Sequence, residues 1–200
     1  MEVKTITVVG AGPAGRRLAQ AAASAGFFTV LEDISPEKLS QGIASIRQSL
    51  DEAVVRGEVA AAFRNKTFAL LSVSNRVEEA IRDADLIIEA VPDELEMKLE
   101  LFTIFDKFAK PGAIFASNAS SLHIADLSDM TVYRERCVGL RFSSRDADGE
   151  QMEIVKAAAT SEETVEACSE VARRMAKRAV LIESSPCAQA PQTAETARGA

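Results

Sequence analysis

The sequence predicts an α/β fold: a doubly wound, mainly parallel sheet with helices on both faces. Three observations predict it. Short β-branched runs alternate with helix-period segments, a glycine-rich turn joins the first run to the first helix, and an acidic residue closes the second run.

The elements follow in order. Val3 to Val9 reads as a strand, and the glycine turn after it opens a helix through about Ala25. Phe28 to Glu32 is a second strand. Ser35 and Pro36 then supply an N-cap and a first helical residue. Leu39, Ile43, Ile46, Leu50 and Val54 recur at spacings of three and four, the buried stripe of a long helix. Phe68 to Val73 reads as the third strand and Leu86 to Val91 as the fourth. A helix from Glu94 to Phe108 is stopped by Pro111-Gly112. Ala113 to Ala116 is a fifth strand. Cys137 to Phe142 and Met152 to Lys156 form a further pair. A helix capped at Ser161 ends near Lys177, before a last strand from Ala179 to Ile182. The tail from Ser184 is rich in Ala, Gln, Thr and Pro, and buries too little apolar surface to offset its ordering entropy. The domain is therefore assigned to residues 1–185 and a flexible tail to 186–200.

Composition narrows the function. Two hundred residues, 47% of them hydrophobic and 26% charged, suit one soluble globular domain with a sizeable core. A net charge of −7 argues against nucleic acid, whose phosphates need a positive surface. The basic group Arg173, Arg174, Lys177 and Arg178 is expected late in a helix, where cations meet the negative end of the dipole. No stretch approaches the roughly 18 apolar residues of a membrane span, and the N-terminus carries no signal-peptide pattern. Cys137, Cys168 and Cys187 are odd in number and lack metal-ligand spacing. They read as free thiols of a cytoplasmic protein, and no metal site is expected.

The turn Gly10-Ala11-Gly12-Pro13-Ala14-Gly15 carries the chemistry. Gly10 makes the tight turn, Gly12 admits a pyrophosphate against the backbone, and Gly15 lets helix and strand pack closely. Pro13 and Ala14 begin a helix whose amides and dipole favour the phosphates. Asp33, at the end of the second strand, accepts hydrogen bonds from ribose hydroxyls and repels a 2′-phosphate, favouring NAD over NADP. Strand alternation points its neighbour Glu32 the other way. The fold is thus Rossmann-type, and the cofactor expected is NAD. A glycine turn that merely packs a helix is the bland alternative.

Further motifs add a family resemblance: Val9-Gly10-Ala11-Gly12, Val30-Leu31-Glu32-Asp33-Ile34-Ser35, Ala84-Asp85-Leu86-Ile87-Ile88-Glu89-Ala90-Val91-Pro92, and Phe115-Ala116-Ser117-Asn118-Ala119-Ser120-Ser121-Leu122. Val138-Gly139-Leu140 and Ala159-Thr160-Ser161-Glu162-Glu163-Thr164-Val165 extend it. Together these resemble the N-terminal domain of the NAD-dependent 3-hydroxyacyl-CoA dehydrogenases, from about Lys4 to Ser185. The resemblance implies that Asp93, where the family usually has Glu, and Lys98 border the nicotinamide. It implies that Ser120 touches both cofactor and substrate. Ser49 and Arg56 fall near positions that contact coenzyme A, so an acyl-CoA-type ligand is implied. Each has a plainer reading beside it: a helix start for Asp93, an N-cap for Ser120, solvated helix residues for Ser49 and Arg56.

The catalytic stretch departs from the family. Where the family reads Gly-Leu-His-Phe-Phe-Asn-Pro, this chain reads Gly139-Leu140-Arg141-Phe142-Ser143-Ser144-Arg145. Glu153 keeps its place twelve residues on, so Ser120 and Glu153 are what remain of the catalytic group. A histidine oriented by a carboxylate exchanges protons near neutrality; arginine stays charged and cannot act as that base. The single histidine, His123, reads as an exposed helix residue. The family's helical C-terminal domain, which completes the cleft and forms the dimer, is also not expected after Ser184-Ser185-Pro186-Cys187.

Three functional readings follow. One is an NAD(H)-binding relative with impaired catalysis and a regulatory role, and a homo-oligomer or partner subunit on the uncovered face. Another is a working oxidoreductase of a 3-hydroxyacyl-CoA in fatty acid metabolism, its cleft completed by another subunit. The third is an interaction module without cofactor, which the intact Gly10–Gly15 turn and Asp33 oppose.

Overall fold

The computed structural model describes residues 1–118, 124–142, 151–176 and 178–183. The first half runs β1 (Thr5–Val9), α1 (Pro13–Ser24), β2 (Phe28–Glu32), α2 (Pro36–Val55), α3 (Ala61–Ala69), β3 (Leu71–Ser74), α4 (Val77–Ala80) and β4 (Leu86–Glu89). The second half runs α5 (Leu95–Phe108), β5 (Ile114–Ser117), α6 (Ile124–Ser128), β6 (Cys137–Phe142), β7 (Gln151–Lys156), α7 (Glu162–Met175) and β8 (Arg178–Glu183). The strands form one sheet in the order β3-β2-β1-β4-β5-β6-β7-β8. All pairs are parallel except β6 with β7.

Helices cover both faces, as parallel strands require if neither face is to meet water. Leu18 and Ala22 of α1, Leu39, Ile46 and Leu50 of α2, and Cys168 and Val171 of α7 pack with Ile6 and Val8 on one face. Phe102 and Phe105 of α5 and Ile124 and Leu127 of α6 pack with Val9 and Ile87 on the other. Phe102, Phe105 and Phe115 meet at tilted or edge-on geometries, with centroids 5.4 to 6.4 Å apart.

The caps explain several boundaries. Ser35 Oγ accepts from the Lys38 amide with Pro36 behind it, and Ser161 Oγ accepts from the Thr164 amide. Asp85 ties the start of β1 to that of β4 by accepting from the Lys4 and Thr5 amides and pairing with Lys110 at 2.6 Å.

Two expectations need correction. Phe68 to Leu70 are not strand: Phe68 and Ala69 end α3, and β3 is the shorter Leu71–Ser74. An apolar run of that length has no period that separates strand from buried helix. Tertiary contact decides it, with Phe68 packed against the core and Arg47 over its ring at 4.5 Å. The basic group is also divided: Arg173 and Arg174 end α7, whereas Arg178 opens β8, and Lys177 is outside the described residues. Residues 184–200, the expected tail with Cys187, lie outside them too. Cys137 and Cys168 are buried and free, and burial pushes both thiols up to about 12, so neither is a nucleophile at neutral pH. Among the described residues, no helix is long and apolar enough to cross a membrane.

Candidate functional site

The sheet order reverses between β1 and β4, whose chains leave toward opposite faces and open a crevice at the carboxyl edge. Gly10 turns there with φ +109°, a conformation that glycine alone adopts cheaply, and its amide donates to the Glu32 carbonyl at 2.7 Å. A Cβ at Gly10 would stand 2.7 Å from the Ala90 carbonyl oxygen. One at Gly15 would stand 1.7 Å from the Gly10 carbonyl oxygen, whereas Gly12 faces open space. The turn thus has two glycines demanded by the protein's own packing and one, Gly12, that leaves room for a ligand. Pro13 and Ala14 then open α1, with no side-chain cap and no acidic residue in its first turn. That leaves the positive helix end available to an anion.

Asp33 is nearly buried, its Oδ2 accepting from the Ala11 amide at 2.9 Å and its Oδ1 from the Ser35 amide at 3.0 Å. The carboxylate is therefore pinned beside the glycine turn, where a ribose can share it. Gly12, the α1 N-terminus and Asp33 together fit a dinucleotide: two phosphates at the helix, a diol at the carboxylate.

A second cluster lies across the crevice. Glu89, the last residue of β4, is fully buried, as is Lys98 of α5. Lys98 Nζ donates to both carboxylate oxygens at 2.7 Å, Ser117 Oγ donates to Oε2 at 2.6 Å, and the Val91 amide donates to Oε1 at 2.8 Å. The Asn118 amide donates to the Glu89 carbonyl at 2.8 Å. Glu89 therefore holds together the loops after β4 and β5. Asp93 approaches Lys98 at 3.6 Å and is about one-third exposed, at the rim. Asp93 and Lys98 thus meet, but Lys98 is the floor of the crevice. Glu89 and Ser117 had no role assigned from sequence. The available signal was a carboxylate ending the wholly apolar Leu86-Ile87-Ile88, which must find a buried cation.

On the far side, Arg141 of β6 stands opposite Glu153 of β7 in the antiparallel register, and Nε donates to Oε2 at 2.7 Å. The pair stands where the resemblance puts a histidine and its glutamate. Phe142 beside it carries Arg17 over its ring at 4.2 Å. Ser120, His123, Ser143, Ser144 and Arg145 lie outside the described residues. Ser49 lines a groove of about 660 Å³ along α1 with Arg16, Arg17, Phe63 and Arg174. Arg56 is not in it and pairs instead with Glu58 at 2.7 Å and Glu52 at 3.7 Å.

Comparison with known proteins agrees with this geometry. Residues 5–185 match the model of the 3-hydroxyacyl-CoA dehydrogenase, NAD binding domain. The chain is 33% identical over 186 residues to the probable 3-hydroxybutyryl-CoA dehydrogenase of Bacillus subtilis, covering 93% of this chain and 64% of that protein. It is also 33% identical to the mitochondrial hydroxyacyl-coenzyme A dehydrogenase of Sus scrofa, covering 92% and 60%. The crystal structure of 3-hydroxybutyryl-CoA dehydrogenase from Escherichia coli K12 superposes with a TM-score of 0.87 at 32% identity, over 93% of this chain and 39% of that one. The chain thus spans less than two thirds of the length of these relatives. With the glycine turn, Asp33 and the Glu89–Lys98 floor in place, this chain belongs to the NAD-binding domain family of the 3-hydroxyacyl-CoA dehydrogenases, and its cofactor is NAD.

Proposed function

We propose that this NAD-binding domain has lost the proton transfer of alcohol oxidation and serves a regulatory or NAD(H)-sensing role. The observation that carries this reading is Arg141, ion-paired to Glu153 at 2.7 Å where the family resemblance puts a histidine. Bound NAD supplies a hydride acceptor, but oxidation of a hydroxyl also needs a base for its proton. A guanidinium keeps its proton at any working pH, so Arg141 can polarise a carbonyl oxygen and cannot accept a proton. With Arg141 neutralising it, Glu153 avoids the cost of an unpaired, largely buried carboxylate. In this reading Asp93 and Lys98 border the nicotinamide and Ser120 touches the cofactor.

The groove holding Ser49, Arg16, Arg17 and Arg174 supports an acyl-CoA-type ligand, since arginines suit its phosphates. The same reading places the protein in the cytoplasm and in fatty acid metabolism, with a second copy or a partner subunit. The test is NADH absorbance with acetoacetyl-CoA. Loss of a positioned acid–base group costs about 10²–10⁴ in rate, so no measurable turnover is expected despite NADH binding. Arg141→His alone should recover little, because Ser144 replaces the family's asparagine. Robust turnover by the unmodified chain would overturn the reading and establish a working dehydrogenase.

A further inference from the structure

The ends of five strands form one row across the carboxyl edge: Ser74, Glu32, Val9, Glu89 and Ser117 are successive lateral partners. The row divides between β1 and β4, where the strand order reverses. A dinucleotide lies across such a reversal, with one nucleotide over each half of the sheet. One whose adenosine ribose sits at Asp33, after β2, and whose phosphates sit at the α1 N-terminus sends its nicotinamide half the other way. That half falls against the segments leaving β4 and β5, which begin at Glu89 and Ser117.

The ladder between β4 and β5 ends at this pair, and a side-chain network continues it. Glu89 accepts from Lys98 on both carboxylate oxygens, from the Val91 amide on Oε1 and from Ser117 Oγ on Oε2. Four donors fill the acceptor sites of a carboxylate. One comes from the segment after β4, one from the end of β5, and two from α5. The segment after β4 also lies against the phosphate-binding turn. A Cβ at Gly10 would meet the Ala90 carbonyl oxygen at 2.7 Å and the Val91 amide nitrogen at 3.1 Å. Ser117 is 2% exposed, so its hydroxyl acts on a ligand through these neighbours. We propose that Ser117 is a positioning residue for the nicotinamide half of NAD: its bond to Glu89 fixes the segments after β4 and β5 as the two walls that hold the ring.

Without the hydroxyl, Glu89 Oε2 keeps only its bond from Lys98, and a buried acceptor site is left open. The β5 wall then loses its side-chain tie to the β4 wall. Lys98, 3.6 Å from Asp93 at the rim, is held less firmly between the two carboxylates. The adenosine end has supports of its own. The Ala11 and Ser35 amides hold Asp33, and the Gly10 amide holds the Glu32 carbonyl, none of them through Ser117. The effect therefore divides the dinucleotide: the nicotinamide end loosens and the ADP-ribose end does not.

The proposal rests on the reading that Asp93 and Lys98 border the nicotinamide, and is independent of the lost turnover. The experiment is titration calorimetry of the full chain with NADH and with ADP-ribose, which lacks the nicotinamide ring, together with the emission of bound NADH. Wild type is expected to bind NADH more tightly and to shift its emission. Ser117→Ala should weaken NADH by about fivefold to tenfold, the scale of one buried hydrogen bond. It should change ADP-ribose by less than about twofold and return the emission toward that of free NADH. Thr160→Val removes a comparably buried hydroxyl bond, to the Cys137 carbonyl at 2.7 Å, and should leave both affinities unchanged. If Ser117→Ala fails to fold, Ser117→Cys, closer in size and a weaker donor, should show the same division on a smaller scale. Equal losses for NADH and ADP-ribose, or an unchanged NADH affinity, overturn the proposal. A wild type that binds NADH no more tightly than ADP-ribose overturns the reading of the nicotinamide border, and the proposal with it.

Discussion

Asp33 holds two backbone amides, on Ala11 and Ser35, before any ligand arrives. Its orientation is thus set in advance, and little rotamer freedom is lost when a ribose diol joins it. A 2′-phosphate at the same place meets a fixed negative charge. Calorimetry should therefore show NAD(H) binding tighter than NADP(H) by about tenfold or more, and Asp33→Ala should bring the two together. Equal affinities in the wild type would remove the argument. Asp33 was legible in the sequence because it sits at a set place in a local strand–turn–helix unit. Its neighbour Glu32 was read as pointing away from Asp33, and the register agrees. Its burial was not legible, because that depends on what α4, β1 and β3 bring beside it.

At the scale of elements, β4 and α5 are joined through Glu89 and Lys98. Both charges are fully buried, so their mutual attraction and the bonds from Ser117 and Val91 offset a large desolvation cost. Removing one partner leaves the other charge stranded. Lys98→Met should cost about 3–5 kcal/mol in urea denaturation, and adding Glu89→Leu should return part of that loss. A single variant as stable as wild type would mean that water reaches the pair. The helix and strand boundaries around this cluster were readable, since Leu86-Ile87-Ile88 is a buried-strand run and Pro111-Gly112 is a stop. The end of α3 was not, because Phe68-Ala69-Leu70-Leu71 satisfies either geometry until Phe68 finds its place against the core.

Across the whole molecule, the eight-stranded sheet has β3 and β8 at its edges. Among the described residues nothing pairs with the outer side of β8, and Leu181 on it is half exposed. An open edge with an apolar side chain invites another strand. On the reading proposed above, light scattering at high protein concentration should show a dimer or larger species, and Leu181→Lys should shift it toward monomer. A strict monomer at every concentration would count against self-association.

What the sequence determined by itself is what the chain can specify locally. The Gly10–Gly15 turn follows from backbone angles and close approach that side chains forbid, and the capped helix starts at Ser35 and Ser161 from hydrogen bonds within four residues. Tertiary structure alone decided the rest. The row Ser74, Glu32, Val9, Glu89 and Ser117 draws on five strands whose order differs from their order in the chain. Whether a carboxylate in that row finds a cation, as Glu89 finds Lys98, depends on which helix lies over it. Burial and charge pairing are properties of the neighbours, and those are fixed when the sheet closes.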